Sequence, residues 1–177
     1  ELDDADAAIA AYGRAIASLR DLRSNLELFD RDTLNDVIKP LYYAYANLML
    51  RRSAALPGGT EKQEQLGAVR EALEELKQAE VQDYFREQCV GEEKVALDQL
   101  AADTVVLYPV MLEDRLELLL STESGIQQIA VAVKRDALVE MIRDFRLNIE
   151  ANNGTDDYLR QAQQLYRWLI APLETAL

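Results

Sequence analysis

The chain contains no histidine, a single cysteine and far fewer basic than acidic residues. Without histidine it has no Ser–His or Cys–His dyad, no histidine-ligated metal and no histidine pH switch. Cys89 alone forms neither an internal disulfide nor a thiolate zinc site, which favours a reducing, cytoplasmic compartment. With 19 Lys and Arg against 32 Asp and Glu, the formal net charge is −13. Nucleic acids are therefore disfavoured partners, because their phosphates require clustered basic residues.

Long apolar runs are also missing. No run approaches the length of a membrane span, so we expect no membrane association. Only 7 Gly and 4 Pro occur in 177 residues, and 49% of the residues are hydrophobic. This composition is typical of a folded chain with one domain, or one domain and a small extra lobe. The chain begins at Glu1 without Met, inside a helical pattern, and stops abruptly at Leu177, and we interpret it as a fragment of a longer protein.

Composition changes near Asp103. Residues 1–103 hold 21 acidic and 12 basic residues, a net charge of −9, and they are rich in the helix formers Ala, Leu, Glu, Arg and Gln. Residues 104–177 hold 11 acidic and 7 basic residues and open with a Val, Leu and Tyr cluster that favours strands. We therefore predict an α+β protein, mainly helical, in two parts.

The first part predicts three long antiparallel helices, at about 3–29, 33–55 and 61–89. Pro40 lacks a backbone N–H, so we expect a kink or a restart of the second helix there. Apolar residues at helical spacing define the buried face of each helix. These residues are Ala8, Tyr12, Ala15 and Leu19 in the first helix; Leu41, Tyr45 and Leu48, with Tyr42 and Met49 nearby, in the second; and Val69, Leu73, Leu76, Ala79 and later Phe85 in the third.

The second part changes to a strand pattern. Segments 104–112, 115–121 and 126–133 are apolar and separated by short turns, which predicts an antiparallel meander. Pro109 indicates that the first of these strands lies at an edge or is bulged. Two helices follow, from Asp136 to about Ala151 and from Thr155 onward. Their predicted inner faces are Leu138, Ile142, Phe145 and Ile149, and Leu159, Ala162, Tyr166 and Leu169.

The first helix carries a possible repeat signature. The pattern Ala8-x3-Tyr12-x2-Ala15 resembles the second helix of a tetratricopeptide (TPR) repeat, in which small residues let paired helices approach closely. A period of about 34 residues is not clear. An ordinary helical hairpin array with Ala between its helices is the alternative, and the pattern alone does not decide between the two.

Three longer segments carry a family resemblance. They are LKQAEVQDYFREQCV at Leu76–Val90, VLYPVMLEDRLELLLS at Val106–Ser121 and YRWLIAPLE at Tyr166–Glu174. In this order they resemble the start of CHAT domains, the caspase-like domains that follow TPR arrays, chiefly in bacteria. The resemblance implies a TPR-like helical region at 1–103 and the N-terminal, non-catalytic part of a CHAT domain at 104–177.

The family implies a cysteine peptidase with a His general base and a Cys nucleophile. In the family those two residues lie downstream of the segment that matches Tyr166–Glu174. No catalytic residue can therefore be assigned in this chain, and Cys89 corresponds to the helical linker. The resemblance implies that the chain is not itself an enzyme and that the parent protein is a cysteine endopeptidase. Its C-terminal CHAT lobe would then be a partner of this part.

Tyrosines are the candidate partner-binding residues. A tyrosine offers a large apolar body and a polar tip, which suits it to interfaces. Tyr42 and Tyr43 are adjacent and point in different directions, so we expect one of them to be exposed. They are our predicted partner-binding residues, whereas the spacing of Tyr12 and Tyr45 favours core positions.

Other chemistry-bearing residues favour structural roles. Cys89 has no basic neighbour in sequence, and we interpret it as a packed or tolerated residue. Adjacent acids on a helix point apart, so we predict no metal site and no cofactor. The pairs are Glu74/Glu75, Glu92/Glu93, Glu113/Asp114 and Asp156/Asp157.

Three hypotheses about function follow. The first is a non-catalytic part of a TPR–CHAT protein that couples protein recognition by helical repeats to a peptidase lobe. The second is a stand-alone TPR-like interaction module that binds a protein or peptide. The third, an enzyme that uses carboxylates or tyrosines, has no supporting motif. A homodimer through residues 104–133 is a further prediction, because three strands leave unpaired edges.

Overall fold

The chain, in a computed structural model, is mainly helical with a three-stranded antiparallel sheet over the part described. This confirms the coarse fold class. Two compact units make up the chain, Glu1–Ala101 and Ala102–Leu177. The structure describes residues 2–25, 31–84, 104–151 and 157–174.

The described part of the first unit contains three long helices. They are α1 at Leu2–Asn25, α3 at Lys39–Ala55 and α4 at Thr60–Tyr84, with a short helix α2 at Arg31–Thr33. The predicted continuation of the first helix to residue 29, and of the third through Phe85 to residue 89, lies outside the described residues.

Ion pairs at the helix ends fix the directions of the helices. Near the start of α1, Asp6 Oδ1 lies 2.7 Å from Nη1 of Arg52, near the end of α3. At the start of α3, Lys39 Nζ lies 2.9 Å from Oε1 of Glu80, near the end of α4. Both α1 and α4 therefore run antiparallel to α3 and parallel to each other.

The second predicted helix is divided ahead of Pro40. Leu34–Ile38 form a π-helical turn, in which the Lys39 amide donates to the Leu34 carbonyl. The α-helical pattern then restarts at Lys39, with Pro40 in the first turn. A proline is tolerated there because the first-turn amides have no partner within the helix. The restart expected at Pro40 is thus present.

The buried face of α3 agrees with the predicted stripe only in part: Tyr42 and Met49 are buried as predicted. Leu41, Tyr45 and Leu48 are only half-buried. Because α3 packs against both α1 and α4, it is buried on two sides, and a single period does not define its core. The buried residues of α3 are Tyr42, Ala46, Met49, Leu50 and Ser53.

Of the two outer helices, α4 follows the predicted pattern closely, and α1 does not. On α4, Val69, Leu76 and Ala79 are buried as predicted, whereas Leu73 is half-buried. On α1 the predicted residues are half-buried, and Ile16 is the buried residue. One cluster of core residues in this unit joins α1, the π-helical turn, α3 and α4. Its buried members are Ile16, Leu34, Ile38, Tyr42, Ala72, Leu76 and Ala79.

The second unit begins with the predicted meander. Strands β1 at Val106–Met111, β2 at Leu116–Thr122 and β3 at Gly125–Val131 pair antiparallel in the order β1-β2-β3. Pro109 lies in β1, at an edge of this sheet, as predicted, and is paired in register with Leu118. Gly125 has a φ of 125° and closes the turn into β3, a conformation that glycine adopts without strain.

Two helices and a turn follow the sheet in the described part of this unit. They are α5 at Arg135–Ala151, α6 at Asp157–Leu169 and a 3₁₀ turn at Ala171–Leu173.

Two predicted inner faces need correction. On α5, Leu138 is buried and Phe145 packs against the core, but Ile142 and Ile149 are exposed. On α6 the inner face is rotated: Leu159 and Tyr166 are exposed, and the residues that pack inward are Leu165, Trp168 and Leu169. The apolar residues of α6 form one broad face. The predicted residues lie toward one edge of this face and the packed residues toward the other, and Leu169 is common to both sets.

Candidate partner-binding pocket

A pocket of 140 Å³ lies between α1 and α4 in the first unit. Gly13 and Ala17 line it from α1, and Ala68 and Ala72 line it from α4. These residues repeat at intervals of four, so they lie along one face of each helix. Small side chains on both facing helices leave space that larger residues would fill. The pocket therefore arises directly from Gly and Ala at these positions.

Tyr45 of α3 provides the aromatic surface of the pocket. A Cβ atom added to Gly13 would lie 3.9 Å from Cε2 of Tyr45, so the ring is in van der Waals reach of the α1 backbone. Burial raises the pKa of Tyr45 above its ordinary value of 10.0, and the negative charge of Glu71 raises it further. The hydroxyl therefore keeps its proton and remains a hydrogen-bond donor at physiological pH.

A linked set of three side chains stands beside the pocket. Nη2 of Arg20, a lining residue, lies 2.5 Å from Oε1 of Glu75. The hydroxyl of Tyr42 donates to Oε2 of the same carboxylate at 3.3 Å. Tyr42 is buried in the helical core, with 2% of its surface exposed. Glu75 is thus held between a core tyrosine and a surface arginine, and its charge is compensated.

Glu71 differs from Glu75 in the partners of its carboxylate. It lies one turn earlier on α4, lines the pocket and is exposed. Among the residues that the structure describes, Glu71 has no hydrogen bond or ion pair. Its charge nevertheless acts on Tyr45, as the raised pKa of that tyrosine indicates. The pocket therefore combines small apolar walls, an aromatic ring and an uncompensated carboxylate. These are the groups that typically hold and orient a ligand side chain.

The predicted tyrosines occupy different positions. Tyr42 is the buried member of the pair, and its hydroxyl contacts Glu75. Tyr43 is half-buried and packs against the same core cluster. Of the two, Tyr43 is the one with exposed surface, and its role in binding a partner stays a prediction. Neither Tyr42 nor Tyr43 lines the pocket, whereas Tyr45 does.

The residues that sequence reasoning missed are Tyr45 and the small residues around it. Tyr45 was expected in the core, and the structure leaves it half-buried at the pocket. A signal was present in the sequence, because Gly13 and Ala17 on one helix and Ala68 and Ala72 on another both recur at helical spacing. Small residues on two helices indicate a groove only when those helices are neighbours, and that depends on the tertiary fold.

The other chemistry-bearing residues do not converge on the pocket. Asp114, of the pair Glu113/Asp114, bonds to Nη1 of Arg115 at 3.0 Å. Cys89, Glu92/Glu93 and Asp156 lie outside the described residues. Within the described ranges, no three His, Cys, Asp or Glu side chains are grouped so as to hold a metal ion. The same ranges contain no helix of sufficient length and apolarity to cross a membrane.

A buried charged cluster lies on the sheet of the second unit. Nε of Arg115 donates to Oε1 of Glu117 at 2.6 Å, and Nε2 of Gln128 donates to Oε2 at 3.1 Å. Glu117 is 2% exposed, and each of its two carboxylate oxygens accepts one of these hydrogen bonds. Nη2 of Arg115 is buried without a hydrogen-bond partner. This cluster was not predicted. Its hydrogen bond between Gln128 and Glu117 links a side chain of β3 to a side chain of β2.

Comparison with known proteins adds no relative. No protein-family model matches the chain, and searches of curated proteins and of solved structures give no match. The similarity to TPR and CHAT proteins therefore remains a resemblance of sequence segments.

Proposed function

We propose that this chain is the non-catalytic part of a TPR–CHAT protein and that it recognises a protein partner through its helical region. Recognition would be coupled to a caspase-like cysteine peptidase lobe outside this sequence. The observation that carries the recognition step is the pocket between α1 and α4, with the Tyr45 ring and the uncompensated Glu71 carboxylate. Ligand-binding sites are usually concave and combine apolar walls with placed polar groups, and here Arg20 and Glu71 line the pocket beside its small residues.

The element order is consistent with the family part of the proposal. Three antiparallel helices precede a β-meander and two further helices, in the sequence that the resemblance to a TPR region and an N-terminal CHAT segment implies. The chain has no histidine, so a Cys–His mechanism would require residues from elsewhere. We therefore propose that this part performs no catalysis.

Selection from a random peptide library on the immobilised full chain tests recognition. The matched variants are Ala17→Trp, which fills the pocket, and Ser18→Trp, which places the same side chain on the neighbouring exposed position. Adjacent residues do not share a helix face, so Ser18→Trp leaves the pocket open. We expect selected peptides to bind the native chain and Ser18→Trp, and to lose at least about tenfold in affinity for Ala17→Trp.

Two results would contradict recognition by the pocket. One is selected peptides that bind Ala17→Trp and the native chain equally well. The other is a library that yields no binding peptide at all. Circular dichroism of both tryptophan variants establishes that they retain the helical content of the native chain, so that a loss of binding reports on the pocket.

The link to proteolysis has a separate test. The reading frame beyond Leu177 should encode a His and, after a further apolar strand, a Cys. A reading frame without these residues would overturn the coupling to a peptidase and leave the alternative, a stand-alone TPR-like interaction module. The peptide experiment would be unaffected, because it concerns the helical unit alone.

Self-association through residues 104–133 is a further part of the proposal. β1 and β3 are the outer strands of the described sheet, and outer strands offer unpaired backbone groups to a second copy. Sedimentation equilibrium over a range of concentrations tests this. A mass that stays at 20.0 kDa at every concentration would overturn the homodimer.

A further inference from the structure

We propose that the pocket between α1 and α4 receives a basic side chain, an arginine or a lysine, from the partner peptide. This inference rests on the proposed recognition function and names the chemistry of the group that the pocket accepts. It comes from three features of the site: the small walls, the Tyr45 ring and the single uncompensated charge.

The walls fit the aliphatic part of such a side chain. Gly13, Ala17, Ala68 and Ala72 expose no polar side-chain atoms, and the 140 Å³ between them is bounded by the Tyr45 ring. Arginine and lysine carry several methylene groups before their charged heads, and they bury these stems against apolar surface. An aromatic ring adds an attraction for a cation placed over its face.

The head group of the guest would meet Glu71. This carboxylate lines the pocket and, over the described part of the chain, has no ion-pair partner of its own. The second charge at the pocket, Arg20, is held at 2.5 Å by Glu75 and is thereby neutralised. The charge left uncompensated is negative, so a cationic head is favoured over a neutral or anionic one. A charge-assisted hydrogen bond is about twice as strong as a neutral one.

The charge of the surrounding region supports the same choice. Residues 1–103 carry a net charge of −9, which attracts basic peptides and repels acidic ones before contact. This long-range attraction is not specific to the pocket. A test of the inference must therefore separate the charge of Glu71 from the general charge of the region.

Nuclear magnetic resonance titration of the full chain with two blocked alanine pentapeptides makes this separation. One peptide has a central arginine, and its twin has a central citrulline, which keeps the shape of arginine but carries no charge. We expect the arginine peptide to bind about tenfold more tightly than its twin and to shift the amide signals of Gly13, Ala17 and Ala68. In Glu71→Gln the two peptides should bind with about equal affinity.

Glu64→Gln is the matched control. Glu64 is exposed on the same helix, seven residues before Glu71 and so about 10 Å away along the axis. Its substitution changes the net charge equally, and we expect it to preserve the preference for arginine. Equal binding of the two peptides, equal loss in both variants, or no binding of the arginine peptide would each overturn the inference.

The two proposals fail in different ways. If library selection yields peptides that need an open pocket but contain no arginine or lysine, the recognition function stands and the basic guest is wrong. If selected peptides are rich in arginine yet bind Ala17→Trp as well as the native chain, the pocket is not their site, and both proposals fail. The inference is supported only when the preference for arginine depends on both Glu71 and the open pocket.

Discussion

The Tyr42 hydroxyl donates a 3.3 Å hydrogen bond to Oε2 of Glu75. This contact joins a buried residue of α3 to the carboxylate that neutralises Arg20 beside the pocket. Core packing and the charge at the pocket are therefore connected through a single side chain. Loss of the hydroxyl would leave Glu75 with one fewer hydrogen-bond donor.

Tyr42→Phe should lower the free energy of unfolding by about 0.5–1.5 kcal/mol, the usual net contribution of one hydrogen bond. Urea denaturation measures the change. Tyr12→Phe is the control, because Tyr12 is half-buried and has no hydrogen bond within the described part of the chain. A Tyr42→Phe variant as stable as the native chain, or a Tyr12→Phe variant equally destabilised, would contradict this role of the hydroxyl.

Local patterns in the sequence were sufficient to predict the order of the elements. The short turn between the apolar segments 115–121 and 126–133 indicated a hairpin, and β2 and β3 are joined there. Pro109 indicated an edge strand, and β1 is one. Turn chemistry and hydrophobic period act over a few residues, so they can be read without the tertiary fold.

Which residues of different helices and strands lie next to one another could not be predicted in the same way. Tyr45 was expected in the core because it lies on an apolar stripe, but whether a stripe is covered depends on which helices adjoin it. The pocket exists because Gly13 and Ala68 face each other across two helices far apart in sequence. The Glu117–Gln128 contact likewise needs the strand register, which brings residues of β2 and β3 together.

Leu118 tests the core of the second unit. It is fully buried in the cluster formed by the sheet with α5 and α6. Leu118→Ala should cost about 2–5 kcal/mol of unfolding free energy, because lost burial and an unfilled cavity add together. Leu147→Ala removes the same atoms from a residue that is 54% exposed, and it should change stability by no more than about 0.5 kcal/mol. Similar losses for both variants, measured by thermal and urea unfolding, would contradict the packing of this sheet.

The Arg115–Glu117 pair tests the buried charges. Glu117→Ala removes the acceptor of both the Arg115 Nε and the Gln128 Nε2 hydrogen bonds. It should cost about 1.5–3 kcal/mol, the usual contribution of hydrogen bonds to charged groups, because Arg115 is half-buried and keeps its 3.0 Å ion pair with Asp114. Replacing both charges, as in Arg115→Met with Glu117→Leu, should cost less than the sum of the two single changes.

A double-mutant cycle in urea measures this coupling between Arg115 and Glu117. The matched cycle uses Arg146 and Glu150, whose ion pair of 2.7 Å on α5 is exposed. Exposed pairs at this spacing contribute only about 0.3–0.5 kcal/mol. A coupling energy at the buried pair no larger than at the exposed one would show that burial does not strengthen the interaction.

Ionisation of Tyr45 should lower the free energy of unfolding at alkaline pH. Its pKa is raised above 10.0 in the folded chain, first by burial and then by Glu71. The unfolded chain therefore releases this proton at lower pH than the folded chain does. The associated stability is fully present below about pH 10 and is lost as the pH rises through the folded pKa. The difference in unfolding free energy between the native chain and Tyr45→Phe should follow this course. Because the chain has 8 tyrosines, the pKa of Tyr45 is read from the tyrosinate absorbance that Tyr45→Phe removes, and this pKa should be lower in the Glu71→Gln background. Because burial is the larger cause, that pKa should still exceed 10.0. A Tyr45 pKa that is unchanged in Glu71→Gln would place Glu71 too far from the ring to act on a ligand bound against it.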